Sequence, residues 1–262
     1  MLPFLPRRRT AAADRTCSPY VSGGYRGAVP SQPADRPSLP AAVLWDMDGT
    51  IVDSEPYWMA EEEALVAAAG GVWRHEDALE LVGNDLLVSA RIILERTPVT
   101  GTPEEVVQQL LDGVIRRMRD ALPWRPGAAE LLTAFERLGV PSALVTMSWT
   151  DLAQVLVDRL PAGTFTTVVT GDQVGRGKPH PDPYLEAARR LGVDPADCLA
   201  VEDSPTGAAS ATAAGVPTVV VPHIVPVPEM DLAVQVPTLQ GLDPEQLTAL
   251  ARSAGGSASA TA

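Results

Sequence analysis

A chain of 262 residues, 45% apolar and 20% charged, is long enough for one or two domains with a sizeable core, and its composition excludes a disordered polymer or a collagen- or mucin-like fibre over the whole length. Its 33 acids against 20 bases give a net charge of −13; the first 40 residues hold Arg7, Arg8, Arg9, Arg15, Arg26 and Arg36 against Asp14 and Asp35, so the rest carries 31 acids against 14 bases. Such a body repels nucleic-acid phosphates and anionic headgroups, and it shows no basic stripe to offset the repulsion, which excludes nucleic acid and membrane surfaces as expected partners.

Residues 1–40, rich in Pro, Arg and Ser, read as a disordered leader, either a transit peptide or an extension upstream of the true start. No apolar run is long enough to span a bilayer, and Cys17 and Cys198 cannot build a disulfide framework, so the expected compartment is the cytoplasm. At 41–45 a short apolar run ending in Asp46 suits a strand buried on both faces. Helical patterns at 58–69, 76–82, 86–95 and 103–121 follow with no strand between them, and Thr102, Pro103 and Glu105 open the last as a capping box. Beyond 122 the pattern alternates: helices at 127–138, 152–160, 183–191 and 205–214 separate strands at 140–145, 166–169, 198–201 and 217–221. This predicts an α/β fold, a Rossmann-like parallel sheet with helices on both faces, interrupted by an all-helical insertion. The expected division is a core of 41–56 and 122–250, a helical domain at 57–121, and a small-residue coil tail at 251–262.

In such sheets ligands bind at the carboxyl ends of the strands, where Asp46, Thr146, Glu202 and Asp203 fall. Asp46-Met47-Asp48-Gly49-Thr50 leaves the first strand and turns at Gly49, so that both carboxylates can face one pocket. An aspartate there is a candidate nucleophile toward phosphorus, and a second can protonate the leaving oxygen and later activate water. Read alone, the segment is an ordinary Asp-x-Asp-Gly turn. Glu202-Asp203 adds hard oxygen ligands of the kind Mg2+ prefers, while Ser204 and Pro205 suit a helix start. Lys178 stands out because the chain uses 19 arginines and this single lysine. An ammonium is a compact point charge, suited to a gap between a carboxylate and a phosphoryl oxygen where a guanidinium fork fits poorly. His75, His180 and His223 have no zinc-type spacing.

With these residues in order, the sequence resembles the haloacid dehalogenase superfamily of phosphohydrolases, in the subgroup with a helical cap inserted after the first motif. Four motifs carry the resemblance over residues 41 to about 240: Asp46-Met47-Asp48-Gly49-Thr50, Thr146, Lys178 within Gly177-Lys178-Pro179-His180-Pro181-Asp182, and Glu202-Asp203-Ser204 leading to Gly207 and Gly215. The resemblance implies a Mg2+ cofactor held by Asp46, the Asp48 backbone carbonyl, Asp203 and Glu202. It implies in-line attack by Asp46 with Asp48 as general acid and base, and Thr146 and Lys178 holding the phosphate. Met47, Gly49 and Ser148 are expected to complete the substrate contacts.

Within the family, Asp48 argues against true dehalogenases, which lack the second aspartate. The absence of lysine from 56–122 excludes the Schiff base of phosphonate-cleaving relatives. Mutase relatives grip a second phosphate with an arginine three positions after a cap glycine resembling Gly83, and here that position is Leu86, leaving Arg91, Arg116, Arg117 or Arg119 as substitutes. Asp53-Ser54-Glu55-Pro56-Tyr57-Trp58 resembles the hinge of small sugar-phosphate phosphatases, and Asn84 and Asp85 are candidate substrate-reading residues. Trp45 is expected to pack in the core. The expected activity is hydrolysis of a small phosphorylated metabolite, a sugar phosphate, through an aspartyl phosphate. The alternatives are a β-phosphoglucomutase-like mutase and an inactive binding module on the same fold. Oligomeric state is not readable.

Overall fold

The computed structural model describes residues 39–256; the expected leader, apart from its last two residues, and the tail beyond 256 lie outside it. Six parallel strands, β1 (Val43–Trp45), β2 (Ser142–Val145), β3 (Thr167–Val169), β4 (Leu199–Glu202), β5 (Thr218–Val220) and β6 (Ala233–Gln235), form one sheet in the order β3-β2-β1-β4-β5-β6. The central strands are short and wholly buried, as continuous apolar runs require when both sheet faces are covered. Side chains alternate across the sheet: Val43 and Trp45 join one core with Leu131, Phe135, Leu156 and Leu247, while Leu44, Ala143 and Ala200 join another with Tyr184, Ala187 and Ala211. Trp45 is core, as expected, meeting Phe135 edge-on at 6.3 Å and donating from Nε1 to Ser142 Oγ at 3.3 Å.

Between β1 and the next core helix come α1 (Glu55–Ala68), α2 (His75–Leu79), α3 (Leu86–Arg96) and α4 (Pro103–Asp120), the all-helical cap. The capping box before α4 forms in both directions, Glu105 N to Thr102 Oγ1 at 3.2 Å and Thr102 N to Glu105 Oε2 at 2.9 Å. The two linkers to the cap run side by side, with Asp53 N donating to Pro123 O at 2.7 Å and Arg125 N to Ile51 O at 2.9 Å. The core continues with α5 (Ala128–Arg137), α6 (Thr150–Val157), α7 (Asp182–Leu191), α8 (Pro205–Ala213) and α9 (Pro244–Gly256). Two elements were absent from the sequence reading, β6 and α9. The expected coil from Ala251 is corrected: α9 runs through it to Gly256, because Leu247 and Ala251, one turn apart, are buried against the core.

Candidate active site

Strand register builds the site. Trp45 pairs with Val201 across β1 and β4, so the next residues, Asp46 and Glu202, emerge side by side, with Asp203 one step on. On the other flank β2 pairs with β1 and delivers Thr146 and Ser148 just past its end. Gly49 turns the β1 loop at φ 87°, and a Cβ there would overlap the Asp203 carboxylate, so only glycine lets the loop pass beneath Asp203. Gly207, in the first turn of α8, faces the Glu202 carboxylate with no room for a side chain, and Ser204 caps that helix by accepting from Gly207 N at 3.1 Å.

Lys178 is the hub. Its Nζ donates to Asp46 Oδ1 at 2.7 Å and Glu202 Oε1 at 2.6 Å, and lies 5.2 Å from the centre of the Tyr184 ring. Burial disfavours the ammonium, but Asp46 and Glu202 outweigh it and hold its titration above the usual lysine range. Glu202 also accepts from Tyr184 Oη at 2.6 Å, the Asp203 backbone at 3.2 Å and Ser204 Oγ at 3.4 Å. Carboxylate oxygens of Asp46, Glu202 and Asp203 lie within 4.8 Å of one another. Burial first and the Glu202 charge second push Asp46 up to about 7, and burial with the Asp46 charge pushes Asp203 well above the usual range. Asp46 Oδ2 is buried with no hydrogen-bond partner. An orphaned carboxylate oxygen beside a second raised carboxylate fits a divalent cation, which would satisfy one and reverse the shift of both.

Asp48 is held by three hydroxyls, accepting from Ser54 Oγ at 2.5 Å, Thr146 Oγ1 at 3.1 Å and Ser148 Oγ at 2.8 Å. Thr146 and Ser148 therefore point at Asp48 in this structure rather than standing free for a phosphate. Met47 is fully buried, so any part it plays at the site is through its backbone. The cap closes over these groups to leave an open cleft of about 820 Å³, lined by Asp46, Asp48, Thr146, Ser148, Lys178 and Asp203 below and by cap residues above. Asn84 lines it, with Nδ2 donating to Glu80 O at 3.0 Å. Asp85 is the N-cap of α3, accepting from Leu87 N at 2.9 Å and Val88 N at 3.3 Å, and does not line the cleft. None of Arg91, Arg116, Arg117 or Arg119 lines it either.

The sequence reading missed Tyr184 and Glu62, and named Ser54 and Glu55 only as part of the hinge segment, with no role at the site. Glu55 and Glu62 share the buried face of α1 with Trp58 and Val66 and line the cleft. Burial first, then the Asp48 charge, pushes Glu55 up to about 8; burial pushes Glu62 up to about 7 against the hydrogen bond from Trp73 Nε1 at 3.1 Å. The available signal was acids at 55 and 62 in phase with the apolar positions 58 and 66 of one helix.

A family profile described as haloacid dehalogenase-like hydrolase matches residues 40–215, most of the chain. The chain belongs to the haloacid dehalogenase-like hydrolases. Hexitol phosphatase B of Escherichia coli is 29% identical over 69% of this chain and 83% of its own length, and protein CbbY of Cupriavidus necator is 34% identical over 69% and 78%. The crystal structure of CbbY from Rhodobacter sphaeroides in complex with phosphate superposes with a TM-score of 0.72 at 26% identity, covering 78% of this chain and 96% of that one. With its helical cap and this constellation, the protein is a phosphomonoester hydrolase of that family. Among the described residues no helix is long and apolar enough to cross a membrane.

Proposed function

We propose that the protein is a Mg2+-dependent, cytoplasmic phosphatase of small sugar or sugar-alcohol monophosphates, working through an aspartyl phosphate on Asp46. The observation that carries this reading is the pairing at Asp46: Oδ1 is fixed by Lys178 at 2.7 Å while Oδ2 is buried without a partner. Mg2+ would be held by Asp46, Asp203 and the Asp48 backbone carbonyl, supplying positive charge against the phosphoryl oxygens. Glu202 leaves the expected ligand set in this reading. Its oxygens are engaged by Lys178, Tyr184, Ser204 and a backbone amide, and it does not line the cleft, so it acts as the counter-ion that positions Lys178.

A carboxylate oxygen of Asp46 attacks phosphorus, the bond from phosphorus to the leaving alcohol breaks, and Asp48 as general acid gives that alcohol its proton. Water then attacks the acyl phosphate, Asp48 takes back a proton, and Asp46 is released with inorganic phosphate. The three hydroxyls on Asp48 aim its carboxyl for both transfers. The core, 41–56 with 122 onward through α9, supplies this chemistry, and the cap at 57–121 opens and closes over it.

The hexitol phosphatase relative supports a polyol substrate, and the cleft supports hydrolysis over phosphoryl migration because no cap arginine lines it to hold a second phosphate. The purified protein is expected to release phosphate from p-nitrophenyl phosphate with Mg2+, and Asp46→Asn to abolish this. Equal release from the variant would remove Asp46 as nucleophile, and an isomerised phosphosugar in place of free phosphate would favour the mutase.

A further inference from the structure

The cleft is charged in one sense. Among the described residues lining it, Asp46, Asp48, Glu55, Glu62 and Asp203 are acids, Lys178 is the one basic side chain, and no arginine or histidine reaches it. Lys178 is already paired on both sides, with Asp46 and Glu202. Nothing in the cleft can therefore neutralise an anion away from the reacting phosphoryl group. The acids continue from the chemistry into the cap, since Glu55 feels the charges of both Asp48 and Glu62.

Glu62 is built in rather than incidental. It is 5% exposed, on the buried face of α1, and Trp73 Nε1 fixes its Oε2 at 3.1 Å, while no described protein group donates to Oε1. Trp58, Met59, Leu81, Val107 and Leu110 line the same cleft as an apolar wall. A carbon skeleton can lie on that wall, and a hydroxyl is the neutral group that satisfies a free carboxyl oxygen in either protonation state.

Resting on the phosphatase reading above, we infer that the cap half of the cleft selects monophosphates of neutral polyols and rejects substrates carrying a second anionic group, with Glu62 bonding a hydroxyl of the leaving alcohol. Above the Glu62 titration at about 7, where its buried side chain is ionised, a second anion ~6 Å from that carboxylate at an effective dielectric of about 20 is disfavoured by roughly 100-fold. A buried group built to bond a hydroxyl likewise discriminates strongly against a substrate that lacks it.

The test compares kcat/KM of the full chain with Mg2+ at pH 8, above the Glu62 titration, on sorbitol 6-phosphate, 2-phosphoglycolate and fructose 1,6-bisphosphate, with p-nitrophenyl phosphate as control. Sorbitol 6-phosphate is expected to lead the two dianionic-tailed or carboxylated probes by about two orders of magnitude. Glu62→Gln keeps the shape and an oxygen for Trp73, and is expected to shrink the ratio of sorbitol 6-phosphate to 2-phosphoglycolate at least tenfold. Phosphoglycolate or the bisphosphate matching sorbitol 6-phosphate in the wild-type chain overturns the charge selection, whether or not the variant folds. A variant that lowers every substrate alike reduces Glu62 to a structural residue and overturns its reading role. Loss of release from all four probes, the control included, overturns the phosphatase reading itself.

Discussion

At the scale of single residues, the chain's only lysine is placed where its shape matters as much as its charge. Nζ is bounded by Asp46 at 2.7 Å, Glu202 at 2.6 Å and the Tyr184 ring at 5.2 Å, which leaves room for a point donor and none for a planar fork. Lys178→Arg keeps the positive charge yet must displace Asp46, the attacking group. A misplacement of about 1 Å at a reacting centre costs on the order of 100-fold. Phosphate release by Lys178→Arg is accordingly expected to fall at least that far in kcat/KM on p-nitrophenyl phosphate, with the melting temperature as a check on folding. Near wild-type turnover would show that charge alone is required. The composition pointed to Lys178, because a single lysine against 19 arginines stands out in a list of residues. Its partner Tyr184 gave no such signal: a tyrosine in an amphipathic helix reads as packing until the fold brings its hydroxyl within 2.6 Å of Glu202 Oε1.

At the scale of elements, the cap and core are joined by two linkers that a third segment ties together. His223, just past β5, lies 2.8 Å from Asp53 Oδ1 through Nε2 and 2.8 Å from Arg125 Nη1 through Nδ1. Since the guanidinium must donate, Nδ1 accepts and Nε2 donates to Asp53. Asp53 precedes α1 and Arg125 follows α4, so one imidazole spans both hinge strands. His223→Ala leaves a part-buried carboxylate and a guanidinium each short of a partner, which is expected to cost about 1–3 kcal/mol in urea unfolding. Chymotrypsin is expected to cut sooner after the neighbouring Trp124. Unchanged unfolding and cleavage would mean that the backbone bridge between Val52 and Trp124 holds the hinge unaided. Five of the six strands and the cap helices were legible because apolar runs and helical periods are local. β6 was not, since it is a three-residue, partly exposed edge strand whose signal is its pairing with β5. α9 was overlooked although Asp243 and Gln246 form a reciprocal cap, Gln246 N to Asp243 Oδ1 at 2.8 Å and Asp243 N to Gln246 Oε1 at 3.0 Å. The small residues after Ala251 masked it. α1 was read as starting at Trp58, which left Glu55 outside the helix and hid its register with Glu62.

At the scale of the whole molecule, the concentration of acids around one cleft reverses the usual pH dependence of a carboxylate-rich protein. Glu55 is raised to about 8 and Glu62 to about 7, from ordinary values near 4.5. Below pH 4.5 both are protonated folded or unfolded, and their contribution is fully present. Between pH 4.5 and about 8 the folded chain keeps protons that the unfolded chain has lost, so stability falls as pH rises through that window. Glu186 acts in the opposite sense, held down to about 2 by Arg189 and Arg190, but its window lies below pH 4.5 and does not overlap. Net self-repulsion also grows with pH, so the site-specific part must be read from a variant: in chelator, Glu55→Gln is expected to flatten the fall in unfolding free energy between pH 5 and 8. Mg2+ should act against the same trend. It binds the folded chain through deprotonated Asp46 and Asp203, so its stabilisation, about 2.7 kcal/mol at a hundredfold excess over Kd, is expected to grow from pH 5 to 8 and to vanish in Asp203→Asn. A melting series in which the Mg2+ increment is the same at both pH values, or survives the Asp203 substitution, would place the cation away from these carboxylates.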